Sequence, residues 1–121
     1  MKRLLETKVK KVNSEHNTII NSRSLILGEG YFTVIAGPCA VENENVAVET
    51  AKAVEKAGAK IFRSSLFKPR TSPYTYQGYG LDGIEILRTI RQETNLLLET
   101  EILSTDHLDN LSKEVDIFSC G

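Results

Sequence analysis

The sequence predicts an α/β protein with a parallel sheet, because strand-like and helix-like segments alternate from residue 31 onward. Four short segments have the length and composition of strands: 32–36, 59–66, 96–103 and 116–120. Three segments between them repeat apolar residues at helical spacing: 42–57, 82–94 and 105–115. This βαβαβαβ order implies parallel strands joined by right-handed helical crossovers. It fits two architectures, an open doubly wound sheet and a (β/α)₈ barrel.

The first βα unit has the simplest pattern. Residues 32–36 form a continuous apolar run, as expected of a strand buried on both faces, and Gly37 with Pro38 ends it. The helix at 42–57 carries glutamates near its start and lysines near its end, which is the charge order that the helix dipole favours. Gly58 is the expected residue just beyond its last turn. Four residues would form the inner face of this helix: Ala47, Ala51, Val54 and Ala57.

Polar side chains mark the starts of the other two helices. Asp82, with Glu85 three residues later, matches a capping box in which aspartate is the cap. Ser104 or Thr105 is expected to cap the third helix. The inner faces of these helices would be Ile84, Leu87 and either Ile90 or Arg91 in the second, and Leu108, Leu111 and Val115 in the third.

Residues 1–30 form a separate arm in this interpretation, and residues 31–121 form the α/β domain. Two short β-like runs, 18–20 and 24–27, flank the turn-forming pair Asn21-Ser22 and predict a small hairpin. The alternative is a partly ordered arm without regular structure.

Composition restricts the class of protein. The chain has 121 residues, of which 40% are hydrophobic and 26% charged, and its net charge is −1. These values suit one soluble globular domain and argue against a general nucleic-acid binder. We see no apolar run long enough for a membrane span and no secretory signal. Reduced thiols at Cys39 and Cys120 and a cytoplasmic location are therefore expected.

A cationic loop follows the second strand. Between residues 56 and 77 there are five cations and no carboxylate: Lys56, Lys60, Arg63, Lys68 and Arg70. Thr71 and Ser72 add hydroxyl groups, and Pro69 and Pro73 restrict the backbone. Such a cluster can hold a phosphate or carboxylate by charge-assisted hydrogen bonds. The alternative is a solvated, turn-rich surface loop, in which Tyr74, Tyr76 and Tyr79 would serve for packing rather than for stacking on a ligand.

Ligands of parallel α/β folds bind at the carboxyl ends of the strands, which we call the rim. Four segments should meet there: 37–39, 63–70, 100–101 and 120–121. Cys39 could ligate a metal, act as a nucleophile or be a small buried residue. Glu101 could pair with Arg63 or Lys68, or orient a water molecule. His107 has no His or Asp partner nearby in sequence, so no catalytic role is assigned to it.

These residues carry a resemblance to a known family. Two segments are specific in combination: Val34–Glu42, which contains Ala-Gly-Pro-Cys, and Phe67–Tyr74, which contains Lys-Pro-Arg-Thr-Ser-Pro. Together with Phe62-Arg63 and Thr100-Glu101, they resemble the 3-deoxy-D-arabino-heptulosonate 7-phosphate (DAHP) synthases, in particular the short type Iβ branch. The resemblance runs from about residue 19 to the end. The 3-deoxy-manno-octulosonate 8-phosphate synthases share the first motif but carry Asp-Lys-Ala-Asn-Arg at the second, so they rank below.

The resemblance implies a (β/α)₈ barrel that condenses phosphoenolpyruvate with erythrose 4-phosphate, the first step of the shikimate pathway of aromatic amino acid biosynthesis. It implies that Cys39 ligates a divalent metal of the Mn, Fe, Co or Zn type. Arg63 and Lys68 would bind phosphoenolpyruvate, and Glu101 would lie near the enolpyruvate and its attacking water. Lys68 and Glu101 are thus the catalytic candidates. The segment from Lys68 to Ser72 would meet the substrates and their phosphates: Lys68, Pro69, Arg70, Thr71 and Ser72.

Departures from the family limit these expectations. Ser64-Ser65-Leu66 replaces the usual Gly-Gly-Ala, and Ser104 stands where an acidic residue is common. Only the first three and a half βα units are present, and the remaining metal ligands of the family belong to later strands. The chain alone is therefore expected to bind metal weakly or not at all and to be inactive. A non-catalytic half-barrel, which pairs with itself as a homo-oligomer or with a complementary second half, is the alternative from another functional class.

Overall fold

The computed structural model describes residues 13–23, 25–68 and 71–121. The described residues form two compact units, one that ends at Phe32 and one that spans Thr33–Gly121. The assignment of residues 1–30 and 31–121 to separate domains stays a prediction.

The first unit contains a β-hairpin, as the sequence predicts. Strand β1 (Ile19–Ser22) pairs with β2 (Leu25–Gly28) in antiparallel register. The prediction of a turn at Asn21-Ser22 is wrong, because both residues lie in β1 and Ser22 pairs with Leu25. The chain reverses direction between Ser22 and Leu25, where Arg23 has a φ of 50°. Extending β1 gains two more cross-strand pairs, which offset the cost of a left-handed non-glycine residue.

The second unit contains the alternating elements. In chain order they are β3 (Ile35–Ala36), α1 (Glu44–Lys56), β4 (Ile61–Arg63), a 3₁₀ helix (Gly80–Gly83), α2 (Ile84–Glu93), β5 (Leu97–Ile102), a second 3₁₀ helix (Thr105–His107), α3 (Leu108–Leu111) and β6 (Ile117–Cys120). Three helical crossovers thus connect four strands. No helix among the described residues is long and apolar enough to cross a membrane.

The sheet order decides between the two architectures. The four strands are parallel and lie in sequence order, β3-β4-β5-β6, without the reversal of a doubly wound sheet. Alternate strand residues such as Phe62 and Leu98 pack with buried residues of all three helices in one core: Ala47, Val48 and Ala51 of α1, Ile86, Leu87 and Ile90 of α2, and Leu111 of α3. Helices on one face of an unreversed parallel sheet are the arrangement found in a (β/α)₈ barrel.

The first predicted strand is shorter and more exposed than expected. Regular backbone pairing with β4 is limited to β3, which is Ile35–Ala36. The side chains of Phe32, Val34 and Ile35 are exposed. The prediction of a strand buried on both faces is therefore wrong for this segment. The physical reason is its position, since β3 is an edge strand whose only partner among the described strands is β4.

In two of the three crossovers, a polar side chain caps the first turn of the helical segment. Asn43 Oδ1 accepts a hydrogen bond from Val46 N at 3.1 Å, so α1 begins at Glu44 rather than at residue 42. Ser104 Oγ accepts from Asp106 N at 3.2 Å, as predicted. The predicted Asp82 cap is wrong, because Asp82 lies inside the first 3₁₀ helix, which runs directly into α2 and leaves no extended cap position.

Candidate functional site

The candidate site lies at the rim, where β3 and β4 end side by side. Gly37, directly after β3, has a φ of 149°, and a Cβ at this position would lie 2.1 Å from the carbonyl oxygen of Arg63. The chain leaving β3 therefore passes against the last residue of β4 at a distance that only glycine permits. This close approach brings the Cys39 loop beside the cationic loop.

The structure brings Lys68 and Cys39 together. Lys68 Nζ donates a hydrogen bond to Cys39 Sγ across 29 positions of sequence. The lysine is buried, with 9% of its surface exposed, whereas the cysteine is exposed. Both side chains line a cavity of about 220 Å³ together with Pro38, Glu42, Asn43 and Val46. The thiol and the amine are therefore held next to each other at a surface that a small solute can reach.

Backbone hydrogen bonds close the cationic loop at its base. Lys68 N donates to Gln77 O at 2.8 Å, and Gly80 N donates to Leu66 O at 2.9 Å. Gly78 makes this closure possible, because its φ is 95° and a Cβ there would lie 2.1 Å from Leu66 O. Lys68 thus occupies a fixed point where the loop leaves the core. Pro69 and Arg70 lie outside the described residues, so their substrate contacts stay a prediction.

Ser72 organises the turn at the far end of this loop. Its carbonyl oxygen accepts hydrogen bonds from Thr75 Oγ1 at 2.8 Å and from Gln77 Nε2 at 2.9 Å. Its hydroxyl accepts from Tyr74 N at 3.3 Å. Thr71 is exposed. These contacts give Ser72 a structural function in the loop, and the predicted substrate contacts of Thr71 and Ser72 stay predictions.

Two tyrosines fasten the cationic loop to the loop that follows β3. The Tyr76 hydroxyl donates to Val41 O, and the Tyr79 hydroxyl donates to Glu42 O at 3.4 Å. Their rings meet edge to face with centroids 6.4 Å apart. Burial raises the pKa of the Tyr76 phenol above its usual value, and the neighbouring Tyr79 and Glu42 raise this pKa further. Loop packing therefore accounts for these two tyrosines, whereas Tyr74 is 97% exposed.

We expect Tyr76→Phe to lower the free energy of unfolding by about 0.5–1 kcal/mol, the usual net value of one hydrogen bond. Tyr74→Phe is the matched control, because no described residue bonds the Tyr74 hydroxyl, and it should change nothing. Urea denaturation measures both variants. The pKa of Tyr76 is raised in the folded state. The protonated phenol therefore contributes fully to the free energy of unfolding below the unfolded pKa of about 10, and this contribution is lost as pH rises through the folded pKa. Equal effects of the two variants would contradict the fastening role.

His107 has a structural partner that the sequence pattern did not reveal. Its ring stacks on Phe67, with centroids 4.1 Å apart and an interplanar angle of 2°. Its Nδ1 is buried and makes no hydrogen bond to any described residue. Because Phe67 directly precedes Lys68, the stack supports the start of the cationic loop from the β5 side. The only available sequence signal was the position of His107 shortly after the end of a strand.

A row of polar residues lies on the sheet face opposite the helices. Strand alternation places Arg63, Glu99 and Glu101 on this face, because Phe62 and Leu98 point into the helix-side core. Arg63 and Glu99 are register partners on β4 and β5. The Glu99 carboxylate is buried and accepts a hydrogen bond from the Ser119 hydroxyl. Our sequence interpretation missed Glu99, although the alternation around Leu98 would have identified its face.

The predicted pairing of Glu101 is not observed. Within the described ranges, Glu101 forms no ion pair with Arg63 or Lys68, and Arg63 is exposed. Glu101 Oε1 instead lies beside Gly121, where a Cβ would come within 2.2 Å of it. The ends of β5 and β6 therefore meet at the rim, as expected, with the carboxylate against a glycine. A catalytic role of Glu101 stays a prediction.

Among residues 13–23, 25–68 and 71–121, no group of three or more His, Cys, Asp or Glu side chains could hold a metal ion. In this part of the chain, Cys39 thus does not belong to such a group. The predicted metal role of Cys39 is untested by the geometry.

Comparison with known proteins gives one family. The model of the DAHP synthetase I family matches residues 9–121. Phospho-2-dehydro-3-deoxyheptonate aldolase of Thermotoga maritima is 40% identical over 105 residues, which are 87% of this chain and 31% of that protein. 2-Dehydro-3-deoxyphosphooctonate aldolase of Cupriavidus necator is 33% identical over 93 residues, 71% of this chain and 32% of that protein. The chain spans about a third of the length of these relatives.

Solved structures agree with this result. The crystal structure of the Thermotoga maritima phospho-2-dehydro-3-deoxyheptonate aldolase (DAHP synthase) has a TM-score of 0.81 at 32% identity, over 99% of this chain and 39% of that chain. A truncated form of 3-deoxy-D-arabino-heptulosonate 7-phosphate synthase from the same organism has a TM-score of 0.72 at 32% identity, over 87% of this chain and 36% of that chain. The predicted barrel-type fold, with its preceding hairpin, is confirmed.

Proposed function

The chain belongs to the DAHP synthetase I family, and from this premise we propose that it forms part of an enzyme that condenses phosphoenolpyruvate with erythrose 4-phosphate. The product would be DAHP, and the reaction would be the first step of the shikimate pathway. A cytoplasmic location is part of the same proposal.

The observation that supports this proposal most directly is the buried amine of Lys68 at the base of a closed cationic loop on the rim. Both proposed substrates are phosphorylated anions, so bringing them together costs electrostatic energy. A fixed cation that is shielded from water stabilises an anion more strongly than a solvated one does. The exposed guanidinium of Arg63, at the end of β4, would supply a second cation for the same substrate.

We assign the remaining roles by motif position. Lys68 and Arg63 would bind phosphoenolpyruvate, and the stretch from Lys68 to Ser72 would meet the phosphate of the sugar. Glu101 would lie near the enolpyruvate carbon and accept a proton from the attacking water. The stacking of His107 on Phe67 and the two tyrosine hydroxyls would keep the Lys68 backbone in place.

A divalent metal ion is part of the proposal, with Cys39 as one ligand. The exposed thiol at the rim suits one position of such a site, because thiolates ligate Mn, Fe, Co and Zn type ions. The described residues do not provide a complete site, so metal binding by this part of the chain should be weak. When bound, a metal would polarise the aldehyde carbonyl as a Lewis acid.

The octulosonate synthases are the alternative within the same chemistry. Their representative matches at lower identity, 33% against 40%, and over less of the chain. The Lys-Pro-Arg-Thr sequence at 68–71 also differs from their motif. The two activities differ in the length of the sugar, because the three carbons of phosphoenolpyruvate join four carbons in one case and five in the other.

A chimera tests the proposal. Residues 9–121 would replace the matching segment of the Thermotoga maritima relative, and consumption of phosphoenolpyruvate would be followed with a four-carbon or a five-carbon aldose phosphate. We expect turnover with the four-carbon sugar in the chimera and none from residues 1–121 alone. Circular dichroism shows whether the chimera is folded, and phosphoenolpyruvate binding is measured separately. A folded chimera that neither binds phosphoenolpyruvate nor turns over would overturn the proposal, and preference for the five-carbon sugar would favour the alternative.

Association through open sheet edges is the second candidate function. Among the described strands, β3 and β6 each have a partner on one side only, and unpaired edges favour strand addition. We propose either a homo-oligomer or a complementary second half as the partner of these edges. Light scattering coupled to size-exclusion chromatography distinguishes these arrangements.

A further inference from the structure

The contact between Lys68 and Cys39 joins an amine and a thiol from two different loops. Lys68 follows β4 and Cys39 follows β3, and Lys68 Nζ donates a hydrogen bond directly to Cys39 Sγ. The amine is 9% exposed, whereas the thiol is exposed. A small oxidant can therefore reach the sulfur from solvent while the lysine nitrogen is held in contact with it.

We propose that hydrogen peroxide converts this contact into a reversible covalent cross-link, in which one oxygen atom bridges Lys68 Nζ and Cys39 Sγ. In the first step, peroxide oxidises the thiol to a sulfenic acid and is reduced to water. In the second step, a second peroxide molecule oxidises the amine and sulfenic acid together, so that an N–O bond forms while an N–H and an O–H bond break. Two water molecules leave in this step. Because the lysine starts as an ammonium group, it also gives up one proton to solvent. The sum is ammonium plus thiol plus two peroxides, giving the N–O–S bridge, three waters and one proton.

The geometry argues against the competing disulfide. Cys39 follows β3 and Cys120 lies in β6, at opposite edges of the four-stranded sheet. Three inter-strand spacings separate those edges by about 14 Å. A disulfide requires Cα atoms within about 7 Å. The lysine amine is therefore the preferred partner for an oxidised Cys39, and neither cysteine is in a disulfide in this structure.

The cross-link would have a defined consequence. It would tie the loop after β3 to the loop after β4 and would remove both the lysine charge and the thiol from the rim. If the proposed function is correct, oxidation would switch off anion binding, and thiol reductants would restore it. The formation of the bridge itself does not depend on that function.

Mass spectrometry of the full chain tests the proposal. The protein would be treated with hydrogen peroxide, quenched with catalase and measured intact. We expect a mass gain of about 14 Da, one oxygen atom less two hydrogens, that dithiothreitol reverses; sulfenic acid alone would add about 16 Da. Digestion at glutamate residues should release one linked pair of peptides that contains Cys39 and Lys68. This peptide pair identifies the cross-linked residues without any variant.

Variants separate the possible products. Lys68→Arg and Cys39→Ser should each abolish the gain of about 14 Da. Lys60→Arg, at an exposed lysine near the start of β4, and Cys120→Ser should leave it unchanged. A loss of about 2 Da that disappears in Cys120→Ser would show a disulfide and overturn the proposal. The proposal would also be overturned if the wild-type protein gained mass only by further oxidation of Cys39 and yielded no linked peptides.

Discussion

Lys68→Ala is expected to weaken phosphoenolpyruvate binding by at least about tenfold, the equivalent of one charge-assisted hydrogen bond of about 1.5–3 kcal/mol. The amine is buried at the base of the cationic loop, so it meets an anion with little competition from water. Truncation removes that cation together with the hydrogen bond from Lys68 Nζ to Cys39 Sγ. Isothermal titration calorimetry of the full chain measures the change, and Arg63→Ala should show a loss in the same direction.

Lys60→Ala is the matched control for this effect. Lys60 is exposed and precedes β4, whereas Lys68 lies beyond the other end of the same strand. Both substitutions remove one positive charge, so they change the net charge equally. Binding that falls equally in both variants would mean that overall charge, rather than the Lys68 site, holds the anion. Circular dichroism would confirm that the variants keep their fold.

Gly78→Ala is expected to lower the free energy of unfolding by about 3–5 kcal/mol, which is the size of effect that a steric conflict with the backbone produces. A Cβ would lie 2.1 Å from Leu66 O, which itself accepts the hydrogen bond that closes the cationic loop. The backbone must move, and the bonds at Lys68 N and Gly80 N would be strained together. Urea denaturation measures the loss, and any binding of phosphoenolpyruvate should fall with it.

Gly58→Ala isolates the steric part of this loss. Gly58 has a φ of 102°, close to the 95° of Gly78, but nothing lies within 4 Å of its potential Cβ. Alanine at position 58 should therefore lower the free energy of unfolding only by the cost of the left-handed backbone conformation, about 1–2 kcal/mol. A similar loss in both variants would show that backbone conformation, and not the contact with Leu66, makes glycine necessary at position 78.

Local patterns in the sequence were sufficient for much of this protein. The βαβαβαβ order, the parallel sheet and the cap at Ser104 all follow from periodicity and from residue types close in sequence. The family was identified from two short motifs, around Cys39 and around Lys68, and the family match confirms it. The meeting of these motifs at one rim was also foreseeable, since the carboxyl ends of parallel strands lie along one edge.

Tertiary structure decided the features that depend on contacts across the chain. The choice of a barrel-type sheet required the strand order, which periodicity alone left open. The stack of His107 on Phe67 and the hydrogen bond from Lys68 to Cys39 join residues far apart in sequence. Exposure of Ile35 follows from the edge position of β3, although its sequence is that of a buried strand. The reason is common to all of these features: sequence patterns report the conformation and polarity of each segment, whereas its neighbours are fixed only when the segments pack.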